Sequence, residues 1–403
     1  MAATLTRAAR TSDDTVTTDM YASLGVRTFI NATGHTTVNG GSLMPREVVE
    51  AIVQGARAHV PLETLQRAAG ERIAAAAGAP AAMISSGAAG SILLAAAGAL
   101  TGSDRSKIMA LPDVPDGKDQ VVVWGPQGPN YMYQAVRAAG GKLAHIGVDG
   151  ETMAAEHYRA ALRPETAAVL LVLAHVDQNL AQARSPQTDG RRTGGWEGFI
   201  GQVAAAATAA GVPVLVDAAS ELPPRALVRQ LLDLGVAGII VSGGKAIRGP
   251  QATGLVLGRP DLIEAAFVNS SPRSAIGRAL KVGKEDICGL VAAVERFFAL
   301  DEQEQLADWR RQAETIAGAA DGHGGATAQA IEGHPDYGRP PLAAVAAVHF
   351  EDRAATVAAA LEAGEPGIRA LQRGADRLVF SPMALLPGDA ETIARRLREC
   401  IDR

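Results

Sequence analysis

Lys245 closes the run Ser242-Gly243-Gly244-Lys245, which follows the apolar stretch Gly238 to Val241 and precedes Arg248-Gly249-Pro250-Gln251. A lysine at the end of a buried strand is partly desolvated, which depresses its pKa, and small neighbours leave room for a flat group beside it. Such an amine is suited to condense with an aldehyde, and Ser242 is placed to reach a phosphate. A surface lysine in a glycine-rich turn gives the same tetrapeptide, so its surroundings decide. Asp217 closes the stretch Pro213 to Val216, one strand–helix–strand unit earlier. Open α/β sheets bind ligands at the carboxyl ends of their strands. A carboxylate there can keep a pyridine nitrogen protonated, so that the ring becomes an electron sink. An aspartate capping the next helix is the alternative. Ala218 and Ala219 leave a flat floor beneath such a ring.

The third element is Ser85-Ser86-Gly87-Ala88-Ala89-Gly90, a small-residue loop between a strand and a helix. Backbone N–H groups and the helix dipole make it a phosphate seat, with the serine hydroxyls as further donors. Ser-Gly is also an ordinary turn and N-cap. Phosphate loop, aspartate and lysine, each after a strand, are together the parts of a site for pyridoxal 5′-phosphate (PLP).

Buried strands must hold these residues. Short runs rich in Val, Ile and Leu occur at Ala82 to Ile84, Gln120 to Trp124, Lys142 to Val148, Ala167 to Ala174, Pro213 to Asp217, Gly238 to Val241 and Thr253 to Leu257. Helical patterns lie between most of them, at Ala88 to Leu100, Tyr131 to Ala139, Ala154 to Ala161 and Trp196 to Ala210. This alternation predicts an α/β fold with a mostly parallel seven-stranded sheet covered on both faces. Two further helices, Pro45 to Ala58 and Thr64 to Ala77, precede the first strand. A long helical stretch from Lys284 to Ala317, a loop region from Gly318 to Pro341, strands at Ala343 to Phe350 and Arg377 to Phe380, and helices at Ala354 to Leu361 and Ala390 to Ile401 predict a smaller α+β unit. The expected organisation is an N-terminal segment (1–44), a large PLP-binding domain (45–270) and a small C-terminal domain (271–403).

With 403 residues, 47% of them apolar and 20% charged, the chain has the composition of a soluble globular protein. The formal net charge of −5 gives no global field favouring nucleic acid or anionic membrane. No window reaches the ~18 apolar residues of a membrane span. Two cysteines, Cys288 and Cys400, without metal-ligand spacing, fit a reducing cytoplasm. No metal site is expected.

The stretches Ile30-Asn31-Ala32-Thr33-Gly34, Gly40-Gly41-Ser42, Ser85 to Gly90, Val216 to Ser220, Ser242 to Gln251 and Ile276-Gly277-Arg278 through Lys281-Val282-Gly283-Lys284-Glu285 resemble the selenocysteine-synthase-like group of fold-type-I PLP enzymes. Within that group the resemblance is nearest to the D-glucosaminate-6-phosphate ammonia-lyase branch. It implies an aspartate-aminotransferase-like fold, Lys245 as the Schiff-base lysine, Asp217 at the pyridine nitrogen and Ser86, Gly87 and Ala88 at the phosphate. Ser242 and Ala219 complete the cofactor-binding candidates; Asn31, Arg278 and Arg369 are the substrate-binding ones. The sequence departs from the group at two places. Gly128 stands where relatives often place a histidine over the cofactor, leaving Asn130 or Tyr131 to substitute. Leu371 stands where a substrate-binding arginine falls, leaving Arg369 to take over.

Other polar residues have two readings each. His35 faces the site or is merely hydrogen-bonded in a turn; one of His175, Asp177, Gln178 and Asn179 could bond the cofactor's phenolic oxygen. Arg278, Lys281 and Lys284, at near-helical spacing, form a solvated face or contact a phosphate or acidic substrate, across a subunit boundary if the chain is a homodimer or an assembly of dimers.

The resemblance favours a lyase that performs α,β-elimination on a β-substituted amino acid or amino sugar acid, giving a 2-oxo acid and ammonia. Aminotransferase and racemase share its first step and stay open, as does a catalytically idle PLP- or partner-binding relative. Selenium transfer to tRNA is not expected, because the chain begins almost directly at the Asn31 segment and is acidic.

Overall fold

The computed structural model describes residues 20–125, 130–182, 195–332 and 343–402. A short helix α1 (Met20–Ser23) leads into strand β1 (Phe29–Ala32) and helices α2 (Arg46–Ala56) and α3 (Leu62–Ala77). Next come β2 (Ala81–Ser85), α4 (Gly87–Thr101), α5 (Arg105–Ala110), β3 (Gln120–Trp124), α6 (Tyr131–Ala138), β4 (Lys142–Ile146) and α7 (Ala155–Ala161). The sheet then continues through β5 (Thr166–Val172), α8 (Leu173–Gln182), α9 (Trp196–Ala209), β6 (Val214–Asp217), α10 (Leu227–Asp233), β7 (Gly238–Ser242), β8 (Gly254–Gly258) and α11 (Pro260–Val268). Helices α12 (Lys284–Ala299) and α13 (Glu302–Ala320) follow, then β9 (Thr327–Glu332), β10 (Ala344–His349), α14 (Ala354–Ala363), β11 (Gly367–Arg373), β12 (Arg377–Phe380) and α15 (Asp389–Ile401).

Seven strands form one sheet in the order β2-β8-β7-β6-β5-β3-β4, in which β8 alone runs against its neighbours. Strands β5, β6, β7 and β8 are buried along their whole length, which is why they read as continuous apolar runs. Their side chains alternate between two cores. Val122, Val169, Leu171, Val216, Ile239 and Val241 join one that includes residues of α3, α7, α9, α10 and α12. Val121, Val123, Leu170, Leu215, Ile240 and Val256 join the other, with α4, α6 and α11. The crossing of α4 and α11 is close because Gly98 lacks a Cβ, which would sit 2.7 Å from Ala266 N.

A five-stranded sheet, β1-β11-β12-β10-β9, carries α13, α14 and α15 on one face. Strand β1 from the N-terminal segment belongs to this sheet and pairs in parallel with β11. The helical stretch expected from Lys284 to Ala317 is two helices. Asp301 breaks it, its carboxylate accepting the N–H groups of Gln303 and Glu304 as the cap of α13. The region expected as loop from Gly318 contains β9, whose alternately exposed residues carry little apolar signal. Among the described residues no helix is long and apolar enough to cross a membrane, and no group of three or more His, Cys, Asp or Glu could hold a metal ion.

Candidate active site

Strands β2, β7, β6 and β5 end on one edge of the large sheet. Because β2 and β7 both run against β8, Ser85, Gly254 and Ser242 lie side by side in register, which sets the start of α4 beside the turn that carries Lys245. Gly254 makes this approach feasible, since a Cβ there would lie 2.3 Å from Gly87 O. The Ser85 hydroxyl turns back to Ser91 Oγ at 2.5 Å, and Ser86, at the N-cap, makes no side-chain capping bond. The first-turn N–H groups of α4 have no partner within the helix, which is the anion seat of a helix N-terminus. Ser86, Gly87 and Ala88 therefore lie on the same sheet edge as Ser242, separated from it by the start of β8.

The Lys245 turn is tightly determined. Gly243 N donates to Thr253 O at 2.9 Å, Gly249 N to Gly243 O at 2.8 Å and Arg248 N to Lys245 O at 2.9 Å. A Cβ on Gly243 would lie 2.1 Å from Thr253 Oγ1, and one on Gly244 2.4 Å from Gln251 Cα. Arg248 closes the turn at φ +60°, a left-handed conformation that costs a non-glycine residue about 1 kcal/mol. Its Nε donates to Leu43 O at 2.8 Å.

Lys245 Nζ donates to Ser220 Oγ at 2.5 Å. Burial lowers the amine's pKa, opposed by the fields of Asp217 and Glu221. Asp217, 4% exposed, ends β6 beside Val172 and Ile240. Its Oδ1 accepts from Ala219 N at 2.9 Å, while among the described residues Oδ2 has only the Tyr131 hydroxyl, at 3.4 Å. Burial pushes this carboxyl up to about 6, with the Ala219 N–H and the Lys245 charge pulling it down. Ala219 is buried beside it. The edge thus offers an amine held low by desolvation, a buried carboxylate with one oxygen nearly free, and an anion seat.

The substrate candidates lie differently. Asn31 and Arg369 are register partners on β1 and β11. Asn31 is engaged locally: Nδ2 donates to Gly34 O at 2.8 Å, and Oδ1 accepts from Thr33 N and Thr33 Oγ1. Arg369 stacks 4.2 Å over the Phe29 ring, pairs with Glu362 at 2.8 Å and donates to Asn39 Oδ1 at 3.1 Å. Leu371 packs against the small apolar cluster of Val345, Ala347 and Val379. Arg278 is exposed on a segment that reaches α4 through Gly277 and Leu280, close to Leu94 and Gly90. Of the basic trio only Lys284 is helical, and its Nζ is held by Gly55 O and Glu285. His175, Asp177 and Gln178 lie in the first turns of α8, on the Asp217 edge, whereas Asn179 is spent on Met153 N and Glu151 O. Gly128 lies outside the described residues. Asn130 caps α6 through Tyr133 N, and Tyr131 aims its hydroxyl at Asp217.

Sequence reasoning missed Ser220, Glu221 and Arg248. The available signal for the first two was their place in the loop directly after Asp217; for Arg248 there was none, since a left-handed arginine has no mark in the sequence.

The family model described as L-seryl-tRNA selenium transferase matches residues 29–310. The chain belongs to that family. Among its relatives, a 5′-C-glycyluridine monooxygenase-decarboxylase from a Streptomyces species is 30% identical over 390 residues, covering 94% of this chain and 92% of the relative. A D-glucosaminate-6-phosphate ammonia lyase from Salmonella typhimurium is 29% identical over 394 residues, covering 95% and 98%. The solved structure of a D-glucosaminate-6-phosphate ammonia-lyase superposes with a TM-score of 0.74 at 27% identity, covering 96% of this chain and 99% of that one. An aspartate aminotransferase from Thermus thermophilus, 16% identical, shares the fold at a TM-score of 0.52 over 93% of this chain and 98% of its own. This member of the selenium transferase family therefore has the aspartate-aminotransferase-like fold of type-I PLP enzymes.

Proposed function

We propose that the chain is a PLP-dependent lyase that eliminates a β-substituent from an amino acid or amino sugar acid and releases a 2-oxo acid and ammonia. Near-full-length similarity in sequence and structure to D-glucosaminate-6-phosphate ammonia-lyase carries this reading. The residues at the sheet edge fit the cofactor. Asp217 keeps a buried carboxylate oxygen almost unengaged, Lys245 is an amine lowered by burial, and the α4 N-terminus lies in register beside it.

Lys245 would hold the cofactor's aldehyde carbon, Asp217 its pyridine nitrogen, and Ser86, Gly87, Ala88 and Ser242 its phosphate. When bound, PLP supplies an electron sink for the charge left on the α-carbon after proton loss. Asp217 keeps a proton on the ring nitrogen, which its buried, low-dielectric position favours once a cation faces it. Lys245 removes the α-proton, and Ser220 orients its amine. With the cofactor bound, loss of the β-substituent with its electron pair and release of the product by the Lys245 amine would leave an enamine, which water would hydrolyse to the 2-oxo acid and ammonia. Ala219, small and buried beside Asp217, would leave room for a flat ring.

A PLP-loaded enzyme given β-hydroxy or other β-substituted amino acids should release ammonia and 2-oxo acid catalytically without an added acceptor. Stoichiometric product followed by a stall that a 2-oxo acid relieves would place it among the aminotransferases. The similarity to the monooxygenase-decarboxylase favours a second reading, oxidative decarboxylation, which oxygen consumption coupled to carbon dioxide release would establish.

This reading includes a cytoplasmic homodimer or an assembly of dimers. Neither Cys288 nor Cys400 is in a disulfide, which suits a reducing compartment. Exposed Val38, Leu43, Met44, Val49 and Val53 follow one another from the loop after β1 into α2, which supports a partner surface there. Sedimentation tests it, and a fully active monomer contradicts it.

A further inference from the structure

The peptide groups on both sides of Lys245 are pinned. Gly244 O, in the preceding peptide, accepts from Ser42 N at 3.1 Å, and Lys245 O, in the following one, accepts from Arg248 N at 2.9 Å. Arg248 also holds the residue next to Ser42, since its Nε donates to Leu43 O at 2.8 Å. These three bonds close a ring that ties the loop 33–44 between β1 and α2 to the backbone of the lysine. Gln251 Nε2 on Thr37 O at 3.0 Å ties the loop a second time, and Gly41 lies so close that a Cβ would sit 2.6 Å from Gly244 O. With both flanking peptide planes held, the two soft dihedrals of Lys245 are fixed, and with them the direction of the side chain that reaches Ser220 Oγ.

Arginine is unfavourable at this place on two counts. Arg248 is the one non-glycine residue with positive φ among the described residues, at +60°, where glycine would sit without strain. Its guanidinium is half-buried, and burial first, then the charge of Arg296, disfavours the charged form. Glu47, which acts the other way, is already paired with Arg296 at 2.5 Å. What arginine adds over glycine is a donor that reaches Leu43 O. Backbone strain persists only where the surroundings over-determine it, and it gathers at functional sites. A turn that needed only its shape would be better served by glycine, so the side chain is what distinguishes this position.

We propose that Arg248 is a positioning residue for the Lys245 amine: its side chain clamps the Ser42-Leu43 segment onto the turn and so holds the amine in the direction that the cofactor needs. The clamp stands on the hydrogen bonds, whereas the cofactor it serves rests on the PLP-lyase reading. The resemblance to the selenocysteine-synthase-like group assigns Arg248 no role. With the clamp closed, the amine keeps its desolvated place beside Ser220, where burial holds it below the ordinary lysine range. Without the Arg248 donor the loop can lift from Gly244 O, the lysine backbone gains freedom, and the amine becomes hydrated and titrates closer to an ordinary lysine.

Three variants separate the donor from the backbone. Arg248→Met and Arg248→Lys share the left-handed strain, but only lysine keeps a donor for Leu43 O; Arg248→Gly removes both strain and side chain. In each apoprotein the pH profile of Lys245 acetylation by acetic anhydride is followed by peptide mass, and PLP affinity is measured by spectroscopic titration. In Arg248→Met the profile should move to higher pH and the Kd for PLP should rise about tenfold, as for loss of one hydrogen bond from a charged donor. Arg248→Lys should recover most of both. Arg248→Gly should behave as Arg248→Met while melting no lower, and it stands in for that variant should methionine prevent folding. Lysine and methionine variants that behave alike, or a glycine variant with the wild-type profile and affinity, would overturn the clamp. A wild type that loads PLP and releases ammonia while those two variants stay alike rejects the clamp alone. A wild type that takes up no PLP rejects the lyase reading, and an acetylation profile that moves in Arg248→Met and not in Arg248→Lys then still supports the clamp.

Discussion

Replacing Asp217 with asparagine should stabilise the cofactor-free protein near neutral pH while disabling the loaded enzyme. The carboxyl is raised by burial from 3.8 to about 6 in the folded chain. The folded state therefore holds this proton more tightly than the unfolded state does. Well below the unperturbed value of 3.8 both states are protonated and the group contributes no penalty, and at pH 4 the penalty is only roughly a few tenths of a kcal/mol. As pH rises through about 6 the folded state must ionise a buried acid, and stability falls by about 3 kcal/mol, two pK units at 1.36 kcal/mol each. Asp217→Asn keeps an oxygen for the Ala219 N–H and removes that penalty. For a chain of this length the unfolding entropy is roughly 0.8 kcal/mol per kelvin, so the variant should melt about 3 to 4 °C higher at pH 7.5 and level with wild type at pH 4. Calorimetric scans of the two apoproteins at both pH values are the assay. A variant no more stable at pH 7.5, or equally more stable at pH 4, would refute the buried-acid reasoning. After loading, turnover should fall more than about a hundredfold, because nothing then keeps the ring nitrogen charged.

Gly244→Ala should destabilise the fold by about 2 kcal/mol and weaken PLP retention, because its Cβ would lie 2.4 Å from Gln251 Cα; an unchanged denaturation midpoint contradicts this. Ser220→Ala removes the acceptor that favours the charged Lys245 amine, so the pH profile of PLP uptake by the apoprotein should move to lower pH, and a profile that stays put removes Ser220 from that role. Asn31→Ala loses three hydrogen bonds that shape the loop after β1 and should cost about 1 to 3 kcal/mol without changing KM; a raised KM at unchanged stability would instead return Asn31 to the substrate.

Asp217, Lys245 and the Ser86 to Ala88 stretch were legible because each lies at or just past the buried end of a strand, which writes an apolar run into the sequence. Strands β1 and β9 are partly exposed, and β11 is buried mainly at its first two residues, so none carries such a run. Their pairing depends on partners far along the chain, as with Asn31 and Arg369. Helix α8 escaped notice because it starts directly at the end of β5, with no turn residue between Val172 and Leu173. The contact of the loop after β1 with the Lys245 turn, Ser42 N on Gly244 O, was hidden for the same physical reason, since it joins segments far apart in the chain.

We propose that Lys245 is the residue that carries the cofactor. Loading the protein with PLP, reducing it with borohydride and mapping the proteolytic fragments by mass should place a single pyridoxyl label on Lys245, with Lys245→Ala unlabelled. A label on another lysine, or no label on the loaded wild type, would contradict the account.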